Sequence, residues 1–349
     1  MLSVARQIAP LRRLAIRALE SYPLADPRLR FITHGENTTF MVEGLVVDAA
    51  TPVTSSHRTT LEPHRFLLRV HRPRRHGRHV DSLAAIQSEL DWLTALRTDT
   101  DLAVPEPQPT LDGRLVVTVA SDDVVEPRCC SLLRWMDGRR HSESPRPIHL
   151  RRLGGAMARL HNHADVWSPP DGFVRIRWDR ETFFGDTMEY GGINAGDVWD
   201  LVPDDLRRRF DDVASRVGRR MEELGTEPAT FGLIHADLHL ENTLFAGAEA
   251  RLIDFDDCGF GYRVYDVAVA LWELRHRPDY SSFREALVEG YTEHRPLTGD
   301  QLADLDSFIA VREVAFGLWF VGTAQVNPMF RDNLDRELAA IARSLETLQ

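Results

Sequence analysis

Between His235 and Asp256 the chain constrains its own fold more tightly than anywhere else. The segment reads His235-Ala236-Asp237-Leu238-His239-Leu240-Glu241-Asn242, continues through Thr243 to Phe245 and Arg251-Leu252-Ile253, and ends on Asp254-Phe255-Asp256. It supplies one carboxylate, an amide five residues on, and a second carboxylate twelve residues later. Thr230 to Ile234 and Thr243 to Phe245 are short apolar runs, and a small turn at Ala246 to Glu249 precedes Arg251. Two short strands closed by that turn are expected, and they would return Asp254 to the side of Asn242. Such a fold gathers two oxygen ligands for a hard divalent cation and one carboxylate able to act as a base. The alternative is an ordinary polar loop between two strands.

With 349 residues, 43% hydrophobic and 27% charged, the chain has room for two domains, or one two-lobed domain, around a real core. No apolar run approaches the ~18 residues of a membrane span. The arginine-rich first twenty residues suggest a transit peptide, but Leu11, Leu14, Ile16 and Leu19 fit an amphipathic helix better. A net charge of −11 argues against nucleic acid, whose phosphates call for basic surface. Cys129, Cys130 and Cys258 make no disulfide framework and point to a reducing, cytoplasmic setting. There is no lysine; all 42 basic residues are arginine, so any cation meeting a phosphate must be a guanidinium. The oligomeric state is left open.

After the N-terminal helix, Leu29 to Ile32 reads as a strand entering the turn His34-Gly35-Glu36-Asn37-Thr38, and Thr39 to Val42 as its return. The tip, with Asn37 and Thr38, can offer N–H groups and hydroxyls to phosphate. Asp48 to Pro63 reads as a polar connection, and His71, His76 and His79 as part of a polar loop. Arg65 to His71 is a strand carrying Arg69, and Ser82 to Leu96 a helix with Leu83, Ile86, Leu90, Leu93 and Leu96 on one face and Glu89 beside it. Two further strands, Leu115 to Val119 and Cys130 to Trp135, flank a polar loop from Ser121 to Arg128. The lobe boundary is expected near Asp137, giving lobes 1–136 and 137–349. Beyond it helices dominate, with Leu153, Met157 and Leu160 on one buried face, a helix from Leu206 to Leu224, and more from Val264 to Leu348.

Taken together these residues resemble the aminoglycoside phosphotransferase and choline kinase-like family, which shares its architecture with protein kinases. The motifs carrying the resemblance are His235 to Asn242, Asp254 to Asp257 and Gly261 to Leu271, with Gly35 to Phe40, Leu68 to Pro73 and Leu153 to His161 upstream. It implies an α+β, two-lobed protein-kinase-like fold, an antiparallel N-lobe sheet with a helix, and a mainly helical C-lobe. It implies ATP against the backbone of the linker around Leu133 and Trp135, an Arg69–Glu89 pair on the phosphates, and Mg2+ on Asn242 and Asp254. Asp237 would be the catalytic base, and His235 and Asp266 would support its loop. From the residues alone Asp266 opens an apolar helical run and reads as a helix N-cap, and both roles are compatible. Three departures stand out: Arg69 where lysine is common, Leu240-Glu241 in place of a Pro-Gly pair, and Asp256 where protein kinases carry glycine.

The expected reaction is transfer of the γ-phosphoryl group to a hydroxyl of a small molecule such as an aminoglycoside, an amino alcohol, homoserine or a sugar. Asp257, Tyr262, Trp272 and Glu273, with Tyr265 and Trp319, are the candidate acceptor liners. The alternatives are a bacterial serine/threonine protein kinase of the stress-response type and a non-catalytic ATP-binding scaffold. His235 and His239, four apart, lack the glutamate and the helix that a zinc protease would place there.

Overall fold

The computed structural model describes residues 4–47, 63–73 and 81–348. The expected connection Asp48 to Pro63, apart from Pro63 itself, and His76 and His79 lie outside those residues. The chain divides into two compact units, with Asp137 closing the first and Gly138 opening the main part of the second.

In the first unit, β1 (Leu24–His34), β2 (Thr38–Val46), β3 (His64–Val70), β4 (Val116–Ser121) and β5 (Val124–Arg134) form an antiparallel sheet in the order β1-β2-β3-β5-β4. Helix α1 (Val4–Leu19) lays Leu14, Ala15, Ala18 and Leu19 against Phe40, Val42, Leu68, Val117 and Leu132 of the sheet. Ile16, expected on that face, is exposed. The segment Ser121 to Arg128 is mostly strand: β4 and β5 meet through a tight turn at Asp122-Asp123, and Ser121 pairs with Val124. The acidic turn hides the Val124-Val125 strand start that follows it. Helix α2 (Ser82–Asp99) buries Ile86, Leu90, Trp92, Leu93 and Leu96, while Leu83 is exposed.

The second unit is mainly helical. Its α3 (Pro147–Val166) packs on the helix Tyr280–Thr292. Gly154 and Gly290 sit where a Cβ would strike the backbone of the partner helix, at Leu287 and Arg151 respectively. Any larger side chain would force the two helices apart. A small sheet places Gly259–Tyr262 between Arg177–Trp178 and Phe231–Ile234. A separate hairpin pairs Thr243–Ala246 with Glu249–Leu252 and turns at Gly247, whose φ of +58° suits glycine.

The helix Leu305–Val326 corrects the expectation of no span-length apolar run. By length and composition it could cross a membrane, but most of it is buried in the fold. It packs on the helices Arg263–Trp272 and Leu334–Glu346, and Arg312 and Glu313 both pair with internal partners.

Candidate active site

The catalytic-loop candidate leaves the strand Phe231–Ile234 and turns sharply. Ala236 adopts φ +68°, a left-handed conformation costing a residue with a Cβ about 1–2 kcal/mol. Asp266, fully buried at the start of the helix Arg263–Trp272, holds the turn. Its Oδ2 accepts the His235 N–H at 2.9 Å and its Oδ1 the Ala236 N–H at 2.6 Å. Oδ2 also meets His161 Nε2 at 2.9 Å, and Tyr291 Oη lies 2.8 Å from His161 Nδ1. Burial pushes the His161 pKa down against the pull of Asp266. A neutral ring donating from Nε2 to Asp266 and accepting the Tyr291 hydroxyl proton satisfies every partner.

His235 ties this loop to the next. Its Nε2 lies 3.1 Å from the Ile253 carbonyl, and its Nδ1 accepts the Asp237 N–H at 3.4 Å. Its ring packs on Phe255 at 4.5 Å. The Ile253 N–H donates to the Asn242 carbonyl at 3.0 Å, and Thr243 pairs with Leu252, so the hairpin sets the Asp254 segment beside Asn242. Asp254 also has left-handed backbone, with φ +65°.

Asn242 Nδ2 donates to the Asp237 carbonyl at 2.9 Å and to Asp237 Oδ2 at 2.8 Å. With its nitrogen spent, its amide oxygen is the atom left for a cation. A carboxamide oxygen and the Asp254 carboxylate make a hard donor pair that suits Mg2+.

Asp237 has a partner that sequence reasoning missed. Arg312 donates from Nη2 to Asp237 Oδ1 at 2.5 Å, and His239 Nε2 stands 3.4 Å from Oδ2. Burial alone would raise the Asp237 pKa, but Arg312 and His239 outweigh it and hold the carboxyl well below the usual range. The His239 pKa is raised, since Asp237 and Glu273 overcome the effect of burial. The only available signal for Arg312 was a charged Arg312-Glu313 pair interrupting the apolar run from Phe308 to Val326.

The expected acceptor liners separate. Trp272 lies under the Arg312 guanidinium, whose carbon is 5.1 Å from the indole ring centre, and packs at a tilt against Phe316. Glu273 is 3.9 Å from His239 Nδ1. Asp257 and Tyr265 are close enough to Arg312 to act on its charge. Trp319 contacts Phe316 and Phe330. Tyr262 does not belong to this group, which corrects its expected place. It pairs with Phe231, packs on Phe308 and donates its hydroxyl to the Met221 carbonyl. Strand alternation turns it into the core.

In the first unit, Arg69 Nη1 meets Glu89 Oε1 at 2.7 Å, with the side chains 4% and 0% exposed. The hairpin tip is less open than its composition suggests. Asn37 Oδ1 accepts the Arg72 N–H at 3.0 Å, and the buried Thr38 hydroxyl lies 2.7 Å from His34 Nδ1. Both side chains therefore brace the turn. In the linker, Leu133 is buried and the Trp135 N–H donates to the Arg65 carbonyl at 3.0 Å, leaving Trp135 only its carbonyl for a nucleotide.

The antiparallel five-stranded unit with its helix, followed by a helical unit carrying these loops, is the two-lobed protein-kinase-like fold. The sequence profile of the phosphotransferase enzyme family matches residues 53–301, and the chain belongs to that family. It is an enzyme of the kinase class. A microcompartment-associated aminopropanol kinase is similar in structure, with TM-score 0.70 and 32% identity, covering 96% of this chain and 95% of that one. An amicoumacin kinase solved with AMP-PNP, Ca2+ and amicoumacin shares the fold at TM-score 0.72 and 16% identity, over 100% of both chains. A homoserine kinase of Rhizobium etli (strain CIAT 652) is 27% identical over 215 residues, 58% of this chain and 59% of that protein.

Proposed function

We propose that the chain transfers the γ-phosphoryl group of ATP, with Mg2+, to the hydroxyl of a small amine-bearing molecule. The observation that carries this reading is the division of labour around Asn242. Its side-chain nitrogen fixes Asp237, while its backbone carbonyl accepts the Ile253 N–H and so keeps the residue next to the Asp254 segment. Asn242 and Asp254 would hold the metal, which when bound would neutralise phosphate charge. Asp237 orients the acceptor hydroxyl and takes its proton as the new O–P bond forms. A weakly basic carboxylate suffices, because a loose transition state needs that proton removed only late. Arg69, fixed by Glu89, meets the phosphates. Catalysis rests on positioning and charge rather than a covalent intermediate.

The named relatives act on homoserine and aminopropanol, both hydroxylated amines. The carboxylates of Glu273 and Asp257 suit an ammonium group on the acceptor, and the Trp272–Phe316–Trp319 wall suits its carbon skeleton. Three free cysteines fit work in a reducing, cytoplasmic compartment. An ATP-consumption screen over homoserine, amino alcohols, choline, aminoglycosides, sugars and a generic protein tests the reading. Turnover with one amine-bearing alcohol is expected. Turnover with the protein alone, or with nothing, would refute it.

A further inference from the structure

We propose that Arg312 is a positioning residue for phosphoryl transfer, holding the Asp237 carboxylate in one orientation from a helix far along the chain. The inference rests on the base role of Asp237 and extends it to a residue outside both loops.

The geometry divides the two carboxylate oxygens. Oδ2 accepts from Asn242 on the metal side, and Oδ1 accepts from Arg312 on the helix side, so the group cannot rotate without breaking one bond. Arg312 is itself fixed. Its guanidinium lies over Trp272, whose indole N–H donates to Glu313, and Glu313 takes a 2.7 Å bond from Arg275. A rigid aromatic and ionic frame therefore stands behind a single contact to the base.

Arg312 is a poor candidate for a stabilising ion pair alone. Among the described residues its buried Nε has no well-formed hydrogen bond, and the buried Tyr265 hydroxyl beside it interacts with the guanidinium. A partly satisfied buried charge costs stability that a well-packed apolar side chain would not. Its value is therefore what it does to Asp237. The other titratable groups facing that carboxylate are His235 and His239 on its own loop and Tyr265 on the adjoining helix, with Glu273 acting on His239 and Asp257 on Arg312. Among these Arg312 is the one permanent cation.

The test uses the full-length enzyme with an acceptor that the wild type phosphorylates, and compares R312Q, R312K and D237N. R312Q should lower kcat by roughly 100-fold, as expected for a misplaced reacting group, with ATP affinity by calorimetry within about twofold. R312K should keep ATP affinity while recovering only part of kcat, since ammonium restores a donor but not the planar fork. If R312Q does not fold, the fall in kcat at unchanged ATP affinity in R312K carries the test. A kcat in R312Q within about threefold of wild type, or ATP affinity lost in step with kcat, would overturn the role of Arg312 alone. Turnover surviving in D237N would instead overturn the base assignment on which it rests.

Discussion

Replacing Asp266 by asparagine puts the brace of the catalytic loop to a quantitative test. The carboxylate is fully buried and accepts from the His235 N–H, the Ala236 N–H and His161. A carboxamide has one accepting end. If its oxygen takes the Oδ1 place, Ala236 keeps its partner and the new NH2 faces the His235 N–H and His161. His161 can adapt: its other tautomer accepts at Nε2 and donates from Nδ1 to the Tyr291 hydroxyl. The His235 N–H cannot adapt, and one orphaned buried donor costs about 1–3 kcal/mol. Loss of charge assistance in the two surviving bonds adds about 1 kcal/mol, so D266N should cost roughly 2–4 kcal/mol. Because the turn into Ala236 then keeps only one of its two backbone bonds to residue 266, kcat should also fall about 10- to 100-fold. Urea unfolding followed by circular dichroism, paired with steady-state rates, measures both. A loss below about 1 kcal/mol with unchanged kcat would refute the brace.

Other outcomes follow from the same geometry. D254A should abolish the Mg2+ dependence of ATP binding in calorimetry; binding that still responds to the ion would remove Asp254 as a ligand. Arg69→Ala should weaken ATP and also cost about 3–5 kcal/mol of stability, because Glu89 is left charged and fully buried; a variant as stable as wild type would contradict the buried pair. His149 is pushed down to about 4, first by burial and then by His141, Arg146 and Arg152. Its unfolded form binds the proton more readily, so stability should fall as pH drops from about 6.5 toward 4, by up to about 1.4 kcal/mol per pH unit. His161, shifted the same way, adds to the slope. H149N should flatten the dependence, and an unchanged slope would show that His149 does not titrate as argued.

What could be read from the chain was whatever local spacing decides. The Asp237, Asn242 and Asp254 spacing survives folding because one short hairpin joins the segments, and its register follows from the apolar runs. The Arg69–Glu89 pair was legible because strand and helix are neighbours in sequence and lobe. Contacts made across long separations were not legible. Arg312 reaches Asp237 over 75 residues, and His161 reaches Asp266 over 105. Neither helix face carries a periodic signal for its one functional partner. Tyr262 was misplaced for a related reason: its proximity in sequence to Asp257 says nothing about which face of its strand turns inward. Thr38 and Asn37 looked like open phosphate donors because turn residues have hydroxyls and amides, yet the turn uses them itself.

The most direct test of the whole account is the mass of the acceptor after incubation with ATP and Mg2+, compared between wild type and D237N. The account predicts that a hydroxylated amine gains one phosphoryl group with wild type and none with D237N, while D237N still binds the nucleotide. A phosphorylated acceptor formed equally by both proteins, or ATP consumed by wild type with no phosphorylated acceptor, would contradict it.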